Sequence, residues 1–186
     1  MSRILLISGH PDLSSSFANK TILENLSGFS GLEVRALDTL YPDFHIDVEA
    51  EQHALMCADV VIFQFPLYWS TYPAIMKQWF DAVYTFNFAF GPEGDKLKGK
   101  KTILSITCGA TEDSYSEGEF NFFVLDRYLD AAMHPVKAAQ MNIIDSVVTF
   151  EMNAVEAEGG NAEQVLALSA SHAARLIKSI QSLNSI

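Results

Sequence analysis

Two stretches of the chain are apolar at every position: Ile4-Leu5-Leu6-Ile7, and Val60-Val61-Ile62-Phe63 continuing into Gln64-Phe65. A strand with one face in water alternates apolar with polar side chains. A run that is apolar on both sides reads instead as a strand in the middle of a parallel sheet, covered by helices above and below. Parallel neighbours need a crossover of a dozen or more residues, normally a helix. The segments between such runs should therefore show helical periodicity, and after Pro73 they do. Ile75, Met76, Trp79, Phe80, Val83 and Tyr84 recur at helical spacing, with Pro73 suited to a first helical turn.

Taken in order, the pattern predicts strands at 3–8, 32–37, 60–65 and 102–107, with a fifth strand or a pair within 138–150. Helices are predicted at 17–26, 49–57, 73–84 and 120–133. A last helix follows Asn161, read as its cap, with Val165, Leu168, His172, Leu176 and Ile180 in one stripe. Alternating strands and helices joined by short connections give an α/β fold. Right-handed crossovers then favour a doubly wound five-stranded parallel sheet with helices on both faces. No repeat, low-complexity tract or linker interrupts the pattern, so one domain is expected over residues 1–186.

Composition excludes some functions. A net charge of −11 argues against a nucleic-acid or anionic-membrane surface, which needs clustered cations. No apolar run approaches the roughly 20 residues that span a bilayer, so no membrane insertion is expected. The N-terminal apolar run is too short for a secretory signal, which makes a cytoplasmic location the expectation. Cys57 and Cys108 have neither metal spacing nor a CxxC arrangement and are expected to be reduced and buried. His45, His53, His134 and His172 lack paired spacing, so no metal site is expected, and GxSxG is absent.

In a doubly wound sheet, ligands bind beyond the carboxyl ends of the strands. Three loops lie there: 9–16, 66–71 and 107–111. The first lacks GxGxxG and GxxxxGK[ST] but sets Ser14, Ser15 and Ser16 before a helix. Hydroxyls and free amides at a helix start suit a phosphate; the same serines also serve as an ordinary cap. His10 could hydrogen-bond the ligand or simply be solvated. The second loop spends three aromatics, Tyr68, Trp69 and Tyr72, where turn chemistry would suffice. They read either as a wall for a flat ligand or as a lid on the core. Gly109 in the third permits close backbone approach, or an ordinary turn. Tyr115, shortly after, could donate a proton to a substrate or be structural.

Several segments together resemble the NAD(P)H:quinone oxidoreductase family of flavodoxin-like flavoproteins, including the ancillary subunits of glutathione-gated potassium efflux systems. They are Ile7-Ser8-Gly9-His10-Pro11 with Ser16-Phe17-Ala18-Asn19, and Gln64-Phe65-Pro66-Leu67-Tyr68-Trp69 with Pro73-Ala74-Ile75-Met76-Lys77-Gln78-Trp79-Phe80-Asp81. Phe88-Ala89-Phe90-Gly91, Leu97-Lys98-Gly99-Lys100-Lys101 and Thr107-Cys108-Gly109-Ala110 complete the set. The resemblance implies a flavodoxin-like fold and a bound flavin, FMN with FAD as the alternative, with NAD(P)H as co-substrate. It implies that His10, Ser16, Phe17 and Asn19 hold the flavin phosphate. Pro66, Leu67, Tyr68 and Trp69 would line the ring, with Thr107, Cys108, Gly109 and Ala110 at its other edge. Tyr115 would assist hydride transfer, catalysis would be ping-pong, and a quinone or similar acceptor would be reduced. A homodimer with the site at the subunit boundary is implied too, giving the aromatic loop 86–90 an interface role. The alternative is a regulatory flavoprotein that activates a membrane potassium-efflux transporter. Two positions depart from the family: Ala110 stands where a second glycine is usual, and Glu119-Phe120-Asn121 stands where better-known members place a histidine.

Overall fold

The computed structural model describes residues 2–183. Its strands are β1 (Ile4–Ser8), β2 (Leu32–Ala36), β3 (Val60–Pro66), β4 (Lys101–Thr107) and β5 (Asn142–Thr149). Its helices are α1 (Ala18–Leu26), α2 (Leu37–Leu40), α3 (Val48–Cys57), α4 (Ala74–Val83), α5 (Leu125–Ala132), α6 (His134–Ala138) and α7 (Ala162–Ser182). All strands are parallel, in the order β2-β1-β3-β4-β5. This is the doubly wound five-stranded sheet that the apolar runs predict, and the flavodoxin-like fold that the resemblance implies.

The strands that are apolar on both sides feed two separate cores. Leu5, Ile7, Phe63 and Phe65 pack on one face against Leu55 of α3 and Ile75 and Trp79 of α4. Leu6 and Ile62 pack on the other against Ile22 of α1 and Leu176 of α7. Alternation along each strand distributes its side chains to the two layers, which is why no polar face was visible in the sequence. At the end of β1, a Cβ on Gly9 would come within 2.6 Å of the Met76 side chain, so glycine lets α4 close onto the strand.

The structure departs from the sequence expectation at several element ends. Leu37, read as the end of the second strand, starts the short α2, and α6 was not anticipated. Residues 138–150 form one strand rather than a pair. Pro73 stands just before the first helical turn of α4 rather than within it. The helix expected over 120–133 begins only at Leu125, because the chain turns at Phe122 with φ 62° and the Tyr128 hydroxyl donates to the Asn121 carbonyl. Asn161 caps α7 as expected, its Oδ1 accepting from the Gln164 amide at 3.0 Å. Cys108 is buried, while Cys57 is partly exposed beside His53.

Candidate functional site

The sheet order places the switch point between β1 and β3: the chain leaves β1 for β2 on one side, then crosses to β3 on the other. Connections that diverge there leave a crevice at the carboxyl ends of the two strands. A cleft of about 370 Å³ occupies that position.

Its first wall is the segment between β1 and α1, with His10, Ser15, Ser16, Phe17 and Asn19 lining the cleft. Ser16 Oγ accepts from the Asn19 amide at 3.1 Å, capping the start of α1. The loop before it is tied by Asp12, which takes the Ser14 hydroxyl at 2.6 Å and the Ser15 amide at 3.3 Å. His10 is almost fully buried, and burial lowers its pKa below the ordinary histidine value. Its Nδ1 accepts from the Asp12 amide at 3.1 Å, so the neutral ring carries its proton on Nε2. Among the described residues no lysine or arginine lines the cleft. Its donors are neutral hydroxyls and amides, together with the first-turn N–H groups of a helix.

Pro66, Leu67 and Tyr68 form the second wall. Tyr68 and Thr71 exchange backbone hydrogen bonds at 2.8 and 3.1 Å across a two-residue turn. Trp69 and Ser70 take φ values of 45° and 69° in that turn. A tryptophan in the left-handed region is uncommon and strained. The turn lifts Trp69 clear of the cleft, 95% exposed. Tyr72, by contrast, is buried edge-to-face against Phe65, so one ring of the three belongs to the core.

Thr107 and Gly109 close the third side. The Asn19 Nδ2 group reaches across the end of β3 to donate to Thr107 Oγ1 at 3.0 Å, joining the first wall to the third. A Cβ on Gly109 would meet nothing within 4 Å, so the glycine there relieves no clash within the protein. Cys108, Ala110 and Tyr115 do not line the cleft. Cys108 is fully buried and its thiol is pushed up to about 12 by burial. The Tyr115 phenol sits beside that thiol, its ring against Phe150 and Tyr128, and burial raises its pKa.

A fourth wall was not anticipated from the sequence: Met152, Asn153, Ala154, Val155 and Glu158, from the connection between β5 and α7. Two backbone bonds hold it there, from the Met152 amide to the Cys108 carbonyl at 2.9 Å and from the Glu151 amide to the Ala110 carbonyl at 3.0 Å. Asn153 Oδ1 accepts from the Val155 amide at 2.9 Å. Among the described residues Glu158 is the one carboxylate on the cleft, with Asn153 Nδ2 at 3.4 Å from its Oε2. The sequence signal for this wall was slight: Gly159-Gly160 and a capping Asn161 mark a turn, but not what it faces.

A parallel doubly wound sheet with a cleft at its switch point defines the class of open α/β proteins whose ligands bind beyond the carboxyl ends of the strands. The chain belongs to the Flavodoxin_2 family, described as having a flavodoxin-like fold, whose model matches residues 2–172. It is 36% identical over 153 residues to an uncharacterized NAD(P)H oxidoreductase, YdeQ, of Bacillus subtilis, covering 82% of this chain and 78% of that one. It is 43% identical over 129 residues to the glutathione-regulated potassium-efflux system ancillary protein KefF of Klebsiella aerogenes, covering 69% and 73% of the two chains. Among solved structures it is similar to general stress protein 14 of Treponema denticola in complex with FMN. That match has a TM-score of 0.84 at 26% identity, over 95% of this chain and 99% of that one.

Proposed function

We propose that the protein is an FMN-dependent NAD(P)H oxidoreductase of the quinone reductase type. The observation that carries this reading is the cleft at the switch point, with Ser15, Ser16 and the α1 N-terminus at one end and Tyr68 at another, in a chain similar over nearly its whole length to an FMN-bound structure. The donor set fits FMN: neutral hydroxyls and amides at a helix start accommodate a phosphate without a cation. When bound, FMN supplies a ring that accepts hydride from NAD(P)H and passes it to a quinone or similar acceptor, in a ping-pong sequence.

The residues supply binding and orientation. Ser16, Phe17 and Asn19 hold the phosphate end, with His10 as a neutral Nε2–H donor. Pro66, Leu67 and Tyr68 form the wall for the ring, while Thr107 and Gly109 border its other edge. Trp69, raised on its turn, is assigned to the outer rim of the site. Cys108 and Ala110 contribute their backbone course rather than their side chains. Tyr115 is assigned as hydrogen-bond donor to the reacting substrate. Tyr115→Phe is expected to slow bleaching of the bound flavin by NAD(P)H about tenfold or more while flavin content stays unchanged. An unchanged rate removes the role.

A homodimer completes the site. Its support is a set of exposed rings: Phe86 at 63%, Phe90 at 50%, Phe120 at 81% and Phe122 at 70%. Phe86 and Phe90 pack on each other with ring centroids 5.9 Å apart, and exposed apolar surface grouped in this way marks an interaction face. Sedimentation is expected to give twice the chain mass, and Phe86→Ser with Phe120→Ser to give the single mass. Among the described residues no helix is long and apolar enough to cross a membrane, in keeping with a cytoplasmic enzyme. The 43% identity to a potassium-efflux ancillary protein favours a second reading, in which the flavoprotein binds and activates a transporter. Retention of the purified protein by a transporter's cytosolic domain supports that reading, and its absence removes it.

A further inference from the structure

Gln64 is fully buried in the middle of the sheet, and neither end of its carboxamide has a partner in the protein. Two other fully buried polar atoms share that condition, Ser8 Oγ and Asn19 Oδ1. Ser8 and Gln64 adjoin in the sheet, and Asn19 stands on the helix that covers that face. Ser8 on β1 and Ser105 on β4 are the register partners of Gln64 on β3. Register partners in a parallel sheet project to the same face about 4.8 Å apart. That face is the one covered by α1 and α7, since Leu6, Ile62 and Ile103, two residues earlier on each strand, pack against Ile22 and Leu176. Asn19 lies on α1 over the end of β3, spanning it to reach Thr107.

The row continues on the other side of Gln64. Ser105 Oγ lies 2.8 Å from His172 Nε2, and His172 Nδ1 lies 2.7 Å from Thr149 Oγ1. Arg175 donates to the same Thr149 oxygen. His172 is fully buried among these groups, which lowers its pKa to about 3 and leaves it neutral, with one ring proton. An arginine can only donate, so Thr149 Oγ1 accepts from it. If the ring proton sat on Nδ1, it would also go to Thr149, leaving the buried Thr149 O–H without an acceptor. If it sits on Nε2, Thr149 donates to Nδ1, Nε2 donates to Ser105, and the Ser105 O–H is left to donate. Its neighbour in register is the Gln64 carboxamide, whose unpaired Oε1 makes no direct bond to Ser105 and would be reached through a bridging water. Buried polar groups are overwhelmingly satisfied, so the second arrangement is preferred.

We propose that Ser8, Asn19 and Gln64 enclose a buried water-binding site that joins two hydrogen-bonded groups into one directed chain. The chain runs from Arg175 through Thr149 and His172 to Ser105, and through water to Gln64, Ser8 and Asn19. Four unpaired polar atoms are what an internal water of two to four hydrogen bonds requires. Asn19 in turn donates to Thr107 Oγ1 on the cleft, so Gln64 is a positioning residue. It fixes the carboxamide of Asn19, and with it the wall at Thr107, before any ligand arrives. The link to cofactor affinity rests on the proposed function; the water site and the direction of the chain do not.

The test has two arms. In the flavin-free wild-type protein, nitrogen and proton NMR is expected to place the His172 proton on Nε2 and to show magnetisation exchange between the Gln64 carboxamide protons and a long-lived internal water. A proton on Nδ1, or a carboxamide with no water contact, overturns the proposal. In the second arm, Gln64→Met keeps the side-chain volume and removes the polar atoms. It is expected to mix the two His172 tautomers and to weaken FMN binding about tenfold. A variant with wild-type tautomer and wild-type affinity overturns the positioning role. If neither protein takes up flavin, the functional reading fails while the first arm still decides the water site.

Discussion

Glu158 stands out among the residues of the cleft because it is a carboxylate whose Oε2 accepts from a neutral amide, Asn153 Nδ2 at 3.4 Å, and not from a cation. Among the described residues the other groups lining the cleft are neutral, and none is a lysine or arginine. A carboxylate facing the space where a phosphate is proposed to bind opposes it through a solvated gap, an effect on the order of 1 kcal/mol and sensitive to salt. Glu158→Gln is therefore expected to tighten FMN binding several-fold in a fluorescence titration at low ionic strength. The gain should fade as salt is added; an unchanged affinity would show that the carboxylate faces away from the phosphate. Glu158 was not legible as a site residue. It sits in a polar turn with acidic neighbours, and only the backbone bonds from Glu151 and Met152 to the loop after β4 bring it to the cleft. His10 and Ser16 were legible because chain position, just past an apolar run and before a helix start, puts them at a strand end, whereas Asn19 entered only through the family resemblance.

At the level of elements, one buried carboxylate ties four segments together. Glu51 of α3 is fully buried and accepts from Arg35 of β2 at 2.7 Å, from the Tyr41 hydroxyl at 2.5 Å and from Trp79 Nε1 of α4 at 2.9 Å. Removing one partner of such a set strands the others without their acceptor. Glu51→Ala is expected to cost about 3 kcal/mol or more in chemical denaturation, and a loss below about 1 kcal/mol would contradict the clamp. The sequence places Glu51 on a helix but gives no sign of burial, since its partners lie 16, 10 and 28 residues away. The α7 helix makes a second prediction. His172 keeps its neutral form to about pH 3 in the folded protein, against the ordinary value of 6.5. Below about 6.5 the unfolded chain binds a proton that the folded one does not, so stability falls as pH falls through that window. Above 6.5 the contribution is complete. Relative to His172→Gln, the wild type is expected to lose up to about 1.4 kcal/mol per pH unit between pH 6 and 4. Parallel profiles would contradict it. The stripe that carries His172 was readable from helical spacing, but the Ser105, Thr149 and Arg175 set around it needed the sheet to be assembled.

For the whole molecule, order along the chain determined most of what could be known early. Two-sided apolar runs imply a parallel sheet, helical crossovers cover both faces, and the reversal of strand order between β1 and β3 opens the cleft. Each step follows from local pattern, which is why the fold and three of the four cleft walls were accessible from residues alone. The fourth wall, the outward turn of Trp69 and the removal of Tyr115 from the cleft lining depend on backbone geometry that no periodicity encodes. Phosphate-type donors at one end and a ring-bearing wall at another make a flavin the central claim. Its most direct test is the visible absorbance of the purified protein after incubation with FMN and gel filtration. The account predicts retained flavin bands that bleach anaerobically with NADH or NADPH and return on addition of a quinone. A protein that leaves the column without flavin after reconstitution would contradict it.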